Sequence, residues 1–157
     1  MCWSCEHPYG TRAEYVDELR ALIDMHGWAV QYVESDRRPI AYTIGLRDWG
    51  SPELLVTGQP TDRSMGLLNA VGRYSVSETV PEPGDHVEVP GYPRLEIVEV
   101  DQPDAHLKFA VDFYGRQFRA LQLVWADDRG RWPWARGFNT GGLRQPVLGA
   151  RAAGNIR

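Results

Sequence analysis

The stretch Ile40-Ala41-Tyr42-Thr43-Ile44-Gly45-Leu46 and the stretch Glu53-Leu54-Leu55-Val56-Thr57-Gly58 decide the fold class. The first run is rich in β-branched and aromatic residues and reaches a glycine near its end, which is typical of a β-strand. The second run is short and largely apolar, as expected for a strand that is buried on both faces. A run of the first type also occupies residues 28–33. The runs at 28–33 and 40–46 therefore predict an antiparallel hairpin, followed by a buried strand.

Two helices are predicted beside these strands. The segment Thr11-Arg12-Ala13-Glu14 fits a capping box, in which a threonine hydroxyl and a glutamate carboxylate satisfy free backbone amides. Apolar residues then recur at helical spacing, and Gly27 is predicted to end the first helix with a left-handed cap. The second helix is predicted to begin at Pro60-Thr61-Asp62. Its predicted inward residues are Met65, Leu68 and Val71, flanked by Leu67 and Tyr74.

The remaining segments complete a mixed pattern of strands and helices. Strands are predicted at residues 86–89, 94–101 and 118–125, and a helix at residues 105–114. Because hairpins replace regular βαβ units, the pattern predicts a single α+β domain with a mainly antiparallel sheet and two or three helices. Residues 1–10 are predicted to form an amino-terminal arm, residues 11–136 the domain, and residues 137–157 an extended carboxyl-terminal arm.

Composition restricts the classes of function. The chain has 157 residues, a formal charge of −4 and a single lysine, Lys108. Proteins that bind a phosphate backbone usually gather basic residues on one face, so this charge argues against nucleic-acid binding. No apolar run approaches the roughly 20 residues that span a bilayer, and no signal peptide is recognised, so we expect no membrane partner. We therefore expect a cytoplasmic protein, in which a stable disulfide is not favoured.

Residues 1–7 contain both cysteines of the chain, Cys2 and Cys5, followed by His7. Thiolate and imidazole are ligands that zinc prefers, and these side chains would fill three of its four tetrahedral positions. Two alternatives remain, a frayed terminus with two reduced thiols and a redox-active pair. Metal analysis of freshly purified protein separates zinc binding from both of them.

Aromatic and arginine side chains are concentrated near residue 130. Trp125, Trp132, Trp134 and Arg136 are predicted to bind a planar or anionic ligand, because indoles stack on flat rings and arginine pairs with anionic groups. The alternative is structural, with Trp125 in the core and the Trp-Pro-Trp turn closing one end of the sheet. The sequence predicts a ligand site here and leaves the structural alternative open.

Three polar side chains in the strands, Tyr42, Thr43 and Glu53, are predicted to line the same cleft from the hairpin side. Strand propensity explains the tyrosine and the threonine equally well. No nucleophile has a base at a recognisable spacing, so the sequence assigns no catalytic residue and leaves open whether the protein is an enzyme.

Four segments taken together resemble one family. They are residues 41–46, residues 52–58, residues 121–125 with Asp127, Gly130, Pro133 and Trp134, and residues 145–149. In this order they resemble the bacterial family of unknown function DUF4262, over residues 12–149. That resemblance supports the α+β fold and implies no reaction.

The order of strand, loop, buried strand and helix is also similar to the flavin-reductase-like split barrel. This second resemblance implies a split-barrel sheet and a flavin or another nucleotide as ligand. A recognisable phosphate-binding stretch is missing from the corresponding place in the chain, so the flavin depends on fold analogy alone.

These observations leave three hypotheses about function. The first is a small-molecule-binding domain for a planar or anionic, nucleotide-like or flavin-like ligand. The second is a protein-interaction module, such as an immunity or counter-defence factor, with exposed aromatic surface. The third is a metal- or thiol-dependent enzyme built on Cys2, Cys5 and His7. A carboxyl-terminal arm that does not bury itself locally would dock on a neighbouring subunit, which predicts a homodimer.

Overall fold

The computed structural model describes residues 10–152. In chain order the elements are helix α1 (Arg12–His26), strands β1 (Ala29–Val33) and β2 (Ile40–Ile44), a 3-10 turn (Leu46–Trp49), strand β3 (Glu53–Thr57), helix α2 (Thr61–Ser77), strands β4 (His86–Val87) and β5 (Leu95–Glu99), helices α3 (Pro103–His106) and α4 (Lys108–Tyr114), and strand β6 (Ala120–Trp125). The α+β fold class is confirmed. Residues 10–152 contain four α-helices, because Leu107, with φ −96° and ψ 67°, divides the helix predicted at 105–114 into two.

The six strands form one sheet in the order β1-β2-β3-β6-β5-β4. Neighbouring strands are antiparallel except β3 and β6, which are parallel. The sheet is open, with β1 and β4 at its edges, so the split-barrel alternative is wrong. Glu53 pairs with Ala120 where β3 and β6 begin, and Leu95 pairs with Trp125 where β6 ends. We call the side of the sheet where β3 and β6 begin its amino end, and the side where β6 ends its carboxyl end.

Helices cover both faces of the sheet. On the first face, α2 packs against alternate strand residues, and on the second face α1 and α4 pack against the others. The buried stripe of α2 contains Leu67, Leu68 and Val71. The predicted inward position of Met65 is wrong, since 42% of this residue is exposed. Met65 lies beside the buried stripe, which also includes Ser64 and Gly72. Gly72 contacts the indole of Trp28.

The ends of α1 follow the local signals in the sequence. Thr11 Oγ1 accepts a hydrogen bond from the Glu14 amide at 3.2 Å, and the Gly27 amide closes the last turn onto the Ile23 carbonyl at 2.8 Å. Gly27 has φ +95°, a conformation that favours glycine. Tertiary packing buries less of α1 than its apolar pattern predicts, because Leu19 is buried whereas Leu22 is 45% exposed.

Residues 144–151, which we call the carboxyl-terminal strap, lie across the chain's own sheet. Gln122, on β6, donates through Nε2 to the Pro146 carbonyl at 2.8 Å and accepts from the Leu148 amide at 2.7 Å. Gln145 makes two hydrogen bonds to the backbone of Trp125, at 2.8 and 2.9 Å. The described part of the arm therefore packs on its own domain, which removes the argument that predicted a homodimer. The homodimer itself stays a prediction.

Within residues 10–152, no helix combines the length and the apolar character needed to cross a membrane.

Candidate functional site

Glu53, the first residue of β3, is a buried carboxylate surrounded by hydrogen-bond donors. Its Oε1 accepts from Thr43 Oγ1 at 2.7 Å and from the Leu46 amide at 3.3 Å. Its Oε2 accepts from Tyr114 Oη at 2.8 Å and from the Gly45 and Arg47 amides, both at 3.2 Å. Only 1% of the residue is exposed. One side chain thus ties together the end of β2, the 3-10 turn and the end of α4.

The turn wraps around Glu53 because Gly45 adopts φ +119°. A Cβ at this position would lie 2.9 Å from the Trp28 Cα, so the close approach of these two backbones also requires glycine. Three successive amides, from Gly45 to Arg47, then point at the carboxylate in the way that backbone nests bind anions. The local backbone geometry explains why an acidic residue is tolerated in the interior.

Burial raises the pKa of Glu53 above its ordinary value. The hydrogen bonds from Thr43, Tyr114 and the backbone amides act to lower this pKa, but burial outweighs them. Burial, followed by the nearby Glu53 carboxylate, raises the pKa of Tyr114 as well, so this phenol stays protonated and donates. Carboxyl groups with perturbed pKa values that adjoin a cleft are candidates for a functional site.

A cleft of about 330 Å³ opens directly beside this carboxyl group at the amino end of the sheet. Two arginines, a buried serine and an aromatic ring are among the residues that line it. The lining residues are Arg47, Gly50, Ser51, Pro52, Glu53, Phe118 and Arg119. We call it the Glu53 cleft. Its volume falls at the lower end of the range of natural small-molecule sites.

The two arginines of the Glu53 cleft differ in their partners. The Arg47 guanidinium lies 5.0 Å from the centre of the Tyr114 ring, and it forms no ion pair with any carboxylate among residues 10–152. Arg119 makes two hydrogen bonds to the Glu99 carboxylate, at 2.6 and 3.1 Å. Since a guanidinium has five N–H donors, Arg119 retains further donors for a ligand. Arg47 supplies the uncompensated positive charge.

Tyr42 and Thr43, predicted to line a cleft, are buried within the structure. Tyr42 is 1% exposed, and its hydroxyl accepts from the Phe109 amide at 3.0 Å, which joins β2 to α4. Thr43 is fully buried between the Leu54 amide and the Glu53 carboxylate, at 2.9 and 2.7 Å. Both side chains position Glu53 and α4, and neither is among the residues that line the Glu53 cleft.

The tryptophan-rich segment lies at the carboxyl end of the sheet. The Trp132 and Trp134 rings stack, with centroids 5.7 Å apart and an interplanar angle of 12°. The His86 ring lies 5.2 Å from Trp132, and the Arg151 guanidinium lies 4.1 Å from the centre of the Trp134 ring. Both indoles therefore already have ring or cation partners within the chain.

Glu96 joins the two ends of this stack. It accepts from His86 Nε2 at 2.9 Å, and from Arg151 Nε and Nη2 at 2.8 and 3.0 Å. Burial alone would raise its pKa, but the hydrogen bonds from Arg151 and His86 outweigh burial and hold the pKa of Glu96 below its ordinary value. Arg94 Nη2 donates to His86 Nδ1 at 3.2 Å, so we assign the proton of a neutral imidazole to Nε2.

Asp127 organises the turn that carries Trp132 and Trp134. Its carboxylate accepts from the amides of Arg129, Arg131 and Asn139 and from Arg131 Nε, at distances of 2.8 to 3.1 Å. Although burial acts to raise the pKa of Asp127, these hydrogen bonds lower it to about 2. Backbone bonding in a turn is the role that aspartate most often has there.

The lowered pKa of Asp127 predicts a specific loss of stability in acid. The folded-state pKa of about 2 lies below the unfolded value, so the stabilisation is present above the unfolded pKa and is lost as pH falls through about 2. We expect Asp127→Asn to lower the melting temperature by a few degrees at neutral pH. The difference from the wild type should shrink between about pH 4 and pH 2.

Thermal denaturation followed by circular dichroism over this pH range measures both effects. Asp128→Asn is the matched control, because Asp128 is the exposed neighbour in the same turn. A wild-type to Asp127→Asn difference that is constant with pH would contradict the assigned role.

The predicted ligand-binding residues therefore divide between two places. Thr43 and Glu53 lie at the amino end, and Trp132 and Trp134 lie at the carboxyl end. Tyr42 packs on the second face, whereas Trp125 packs on the first face, with its Nε1 donating to the Thr57 carbonyl at 2.8 Å. Arg136 is exposed. The structure does not bring these residues into one pocket between hairpin and tryptophan-rich turn.

Several residues of both places escaped prediction from the sequence. Tyr114, Phe118 and Arg119 approach Glu53 from a segment that is remote in the chain, and Arg47 comes from the 3-10 turn just before it. His86 was not among the predicted site residues, and its partner is Glu96 on the adjacent strand. Only the pairing of β4 with β5 reveals that contact.

Cys2, Cys5 and His7, the predicted zinc ligands, lie outside the described residues. Within the described part of the chain, no three His, Cys, Asp or Glu side chains are grouped as a metal site would require. The zinc hypothesis therefore depends on residues 1–7 and stays a prediction.

The model of one family, described as Domain of unknown function (DUF4262), matches residues 22–139. No curated protein and no solved structure matches the chain.

Proposed function

The chain belongs to the DUF4262 family, and we propose that it binds a small anionic molecule in the Glu53 cleft. The observation that carries this proposal is the pair of arginines, Arg47 and Arg119, in the lining of a 330 Å³ cleft. Arginine is the side chain best suited to pair with carboxylate and phosphate groups through two hydrogen bonds.

The charge balance of the cleft supports an anion as the ligand. Arg47 has no carboxylate partner within residues 10–152. Both oxygens of Glu53 already accept hydrogen bonds from donors of the protein, which compensate its charge inside the structure. The Phe118 ring adds an apolar wall for the remainder of the molecule. These features favour an organic anion with a flat or apolar part, such as a nucleotide.

The carboxyl end of the sheet is less suited to a planar ligand. Trp132 already lies between His86 and Trp134, and Trp134 already contacts Arg151. A flat molecule would have to separate partners that are in contact. We therefore place the ligand at Glu53 rather than on the indoles.

Isothermal titration calorimetry with AMP and with inorganic phosphate tests the proposal. We expect AMP to bind more tightly than phosphate, because the base and sugar contact Phe118. Arg47→Gln and Arg119→Gln should each weaken AMP binding about tenfold, the value of one lost charge-assisted hydrogen bond.

Arg73→Gln is the matched control, since Arg73 is an exposed arginine on α2, which packs on the other face of the sheet. Binding of neither probe, or affinities that both cleft substitutions leave unchanged, would contradict the proposal. Native mass spectrometry of the freshly purified protein is an independent measurement, because it reports a ligand retained from the cell.

A second candidate is a protein-interaction module, and the exposed apolar side chains near the end of α1 favour it. Met25 is 75% exposed and Trp49 is 54% exposed, and Trp49 Nε1 donates to the Gly27 carbonyl at 3.1 Å, two residues after Met25. Light scattering at micromolar concentration tests self-association through such a surface. A monomer mass would exclude the homodimer and leave a different protein as the partner.

A further inference from the structure

Arg151 lies against Glu96 and Trp134 at the carboxyl end of the sheet, in the manner of a ligand. Its guanidinium is held edge-on by both oxygens of Glu96, at 2.8 and 3.0 Å, and face-on by the Trp134 ring at 4.1 Å. A carboxylate in two hydrogen bonds with a guanidinium, beside a stacked aromatic ring, is a recurring arrangement for arginine recognition. The side chain of Arg151 itself remains 47% exposed.

Glu96 and Trp134 are held in place by groups other than Arg151. Trp134 stacks on Trp132, which in turn contacts His86. Glu96 lies on β5, is 3% exposed, and receives a hydrogen bond from His86 Nε2. A binding site whose walls are fixed in advance loses less conformational freedom when it binds a ligand. Glu96 and Trp134 are therefore positioned to accept a guanidinium whether or not that group belongs to Arg151.

The buried Glu96 carboxylate also requires a cation. His86 donates to it as a neutral imidazole, because Nδ1 already accepts from Arg94. Arg151 is then the one cationic group paired with Glu96 among residues 10–152. An unpaired buried carboxylate is costly, so departure of Arg151 leaves a site that favours another cation of the same shape.

We propose that Glu96 and Trp134 form a guanidinium-binding site, which Arg151 fills within the chain and which a small guanidinium compound or an arginine of another peptide can occupy in its place. The site is separate from the Glu53 cleft, because it lies at the opposite end of the sheet and attracts the opposite charge. A Cβ at Gly149 would collide with the Glu99 carbonyl oxygen, so Gly149 is packed closely against the end of β5. Arg151 lies two residues later, so exchange of the occupant would release only the end of the strap beyond Gly149.

Chemical rescue of Arg151→Ala tests the proposal. This variant should melt at a lower temperature than the wild type, and millimolar methylguanidinium should restore at least half of the difference. Methylammonium at the same ionic strength should not, because it cannot make two parallel hydrogen bonds to the carboxylate. The intrinsic tryptophan fluorescence, to which Trp134 contributes, should return toward the wild-type spectrum over the same titration. The wild type should respond at least tenfold more weakly, because Arg151 competes.

Two control variants isolate the site. Arg144→Ala removes another exposed arginine of the strap, and methylguanidinium should leave its melting temperature unchanged. Trp134→Ala combined with Arg151→Ala should abolish the rescue. Equal rescue by methylammonium, rescue of Arg144→Ala, or no rescue of Arg151→Ala would each overturn the proposal.

A second experiment distinguishes the two sources of the guanidinium, a small compound and an arginine of another peptide. It uses a short acetylated peptide that contains one central arginine. Tighter binding of this peptide than of methylguanidinium to Arg151→Ala assigns the site to a protein arginine. Binding of methylguanidinium alone assigns it to a free small molecule. Failure of both overturns the proposal and leaves the anion site at Glu53 untouched, because that site is tested with AMP.

Discussion

Replacing Glu53 by alanine is expected to lower the free energy of unfolding by about 4 kcal/mol, the largest effect of any single substitution considered for this protein. The substitution would leave the Leu46 and Arg47 amides and two hydroxyl groups without their acceptor in a site that is almost closed to water, while the Gly45 amide would keep its hydrogen bond to Tyr114 Oη at 2.6 Å. Each buried donor that loses its partner costs about 1–3 kcal/mol, partly recovered by water entering from the adjacent cleft. Urea denaturation followed by tryptophan fluorescence measures the change.

Glu88→Ala is the matched control, because the Glu88 side chain is 79% exposed and its nearest Arg94 nitrogen is 3.7 Å away. It should change the stability by less than about 0.5 kcal/mol. A Glu53→Ala variant that is as stable as Glu88→Ala would show that the carboxylate does not hold the turn.

The pH dependence of Glu53→Gln gives the sign of the pKa shift. Since burial raises the pKa of Glu53 in the folded state, its protonated form contributes stability fully below the unfolded pKa, and this contribution is lost as pH rises through the folded pKa. Glutamine does not titrate. The stability difference between wild type and Glu53→Gln should therefore narrow as pH rises from about 4. A difference that widens over this range would show that the five hydrogen bonds outweigh burial.

Replacing Gln122 by leucine is expected to lower the free energy of unfolding by about 3 kcal/mol and to loosen the carboxyl-terminal strap. Leucine keeps most of the volume of glutamine but offers no partner to the Pro146 carbonyl or the Leu148 amide. Since Gln122 is fully buried, the Leu148 amide would be left unpaired against the sheet, and the Pro146 carbonyl would keep only its hydrogen bond from Thr57 Oγ1, at 2.9 Å. Hydrogen exchange should accelerate at the Leu148 amide and at the Asp101 amide, which donates to the Leu148 carbonyl at 2.8 Å.

Gln117→Leu controls for the chemical change, because Gln117 is exposed in the loop before β6. Its effect should stay within about 0.5 kcal/mol. Slow exchange at both strap amides in Gln122→Leu would show that other contacts are enough to hold the strap.

Local signals explain the parts of the fold that were predicted correctly. The boundaries of α1 follow from the Thr11 cap and from Gly27, which act on their immediate neighbours. Strand β6 lies within the run predicted at 118–125, with Leu121, Leu123 and Trp125 in the cluster on one face and Gln122 on the other face. Each of these features depends on residues within one or two turns of chain.

Errors arose where packing between distant segments decided the outcome. The choice between Met65 and Leu67 as the inward residue of α2 depends on how the helix is rotated against the sheet, which no local pattern specifies. The strap is held on the sheet by Gln122 and Gln145, whose side chains bond to backbone groups. The burial of these polar residues could not be predicted without knowing those backbone partners.

The sequence by itself determined the α+β class, the positions of most strands and the ends of the first helix, because spacing and capping act over a few residues. The tertiary structure alone decided that β3 and β6 are parallel neighbours, and hence that Glu53 meets Arg119. It also separated the predicted ligand residues into two sites at opposite ends of the sheet. Strand order depends on pairing between segments that are distant in the chain, and several strands of equal hydrophobicity are possible neighbours for each one. The order of strands in the sheet therefore cannot be read from their order in the chain.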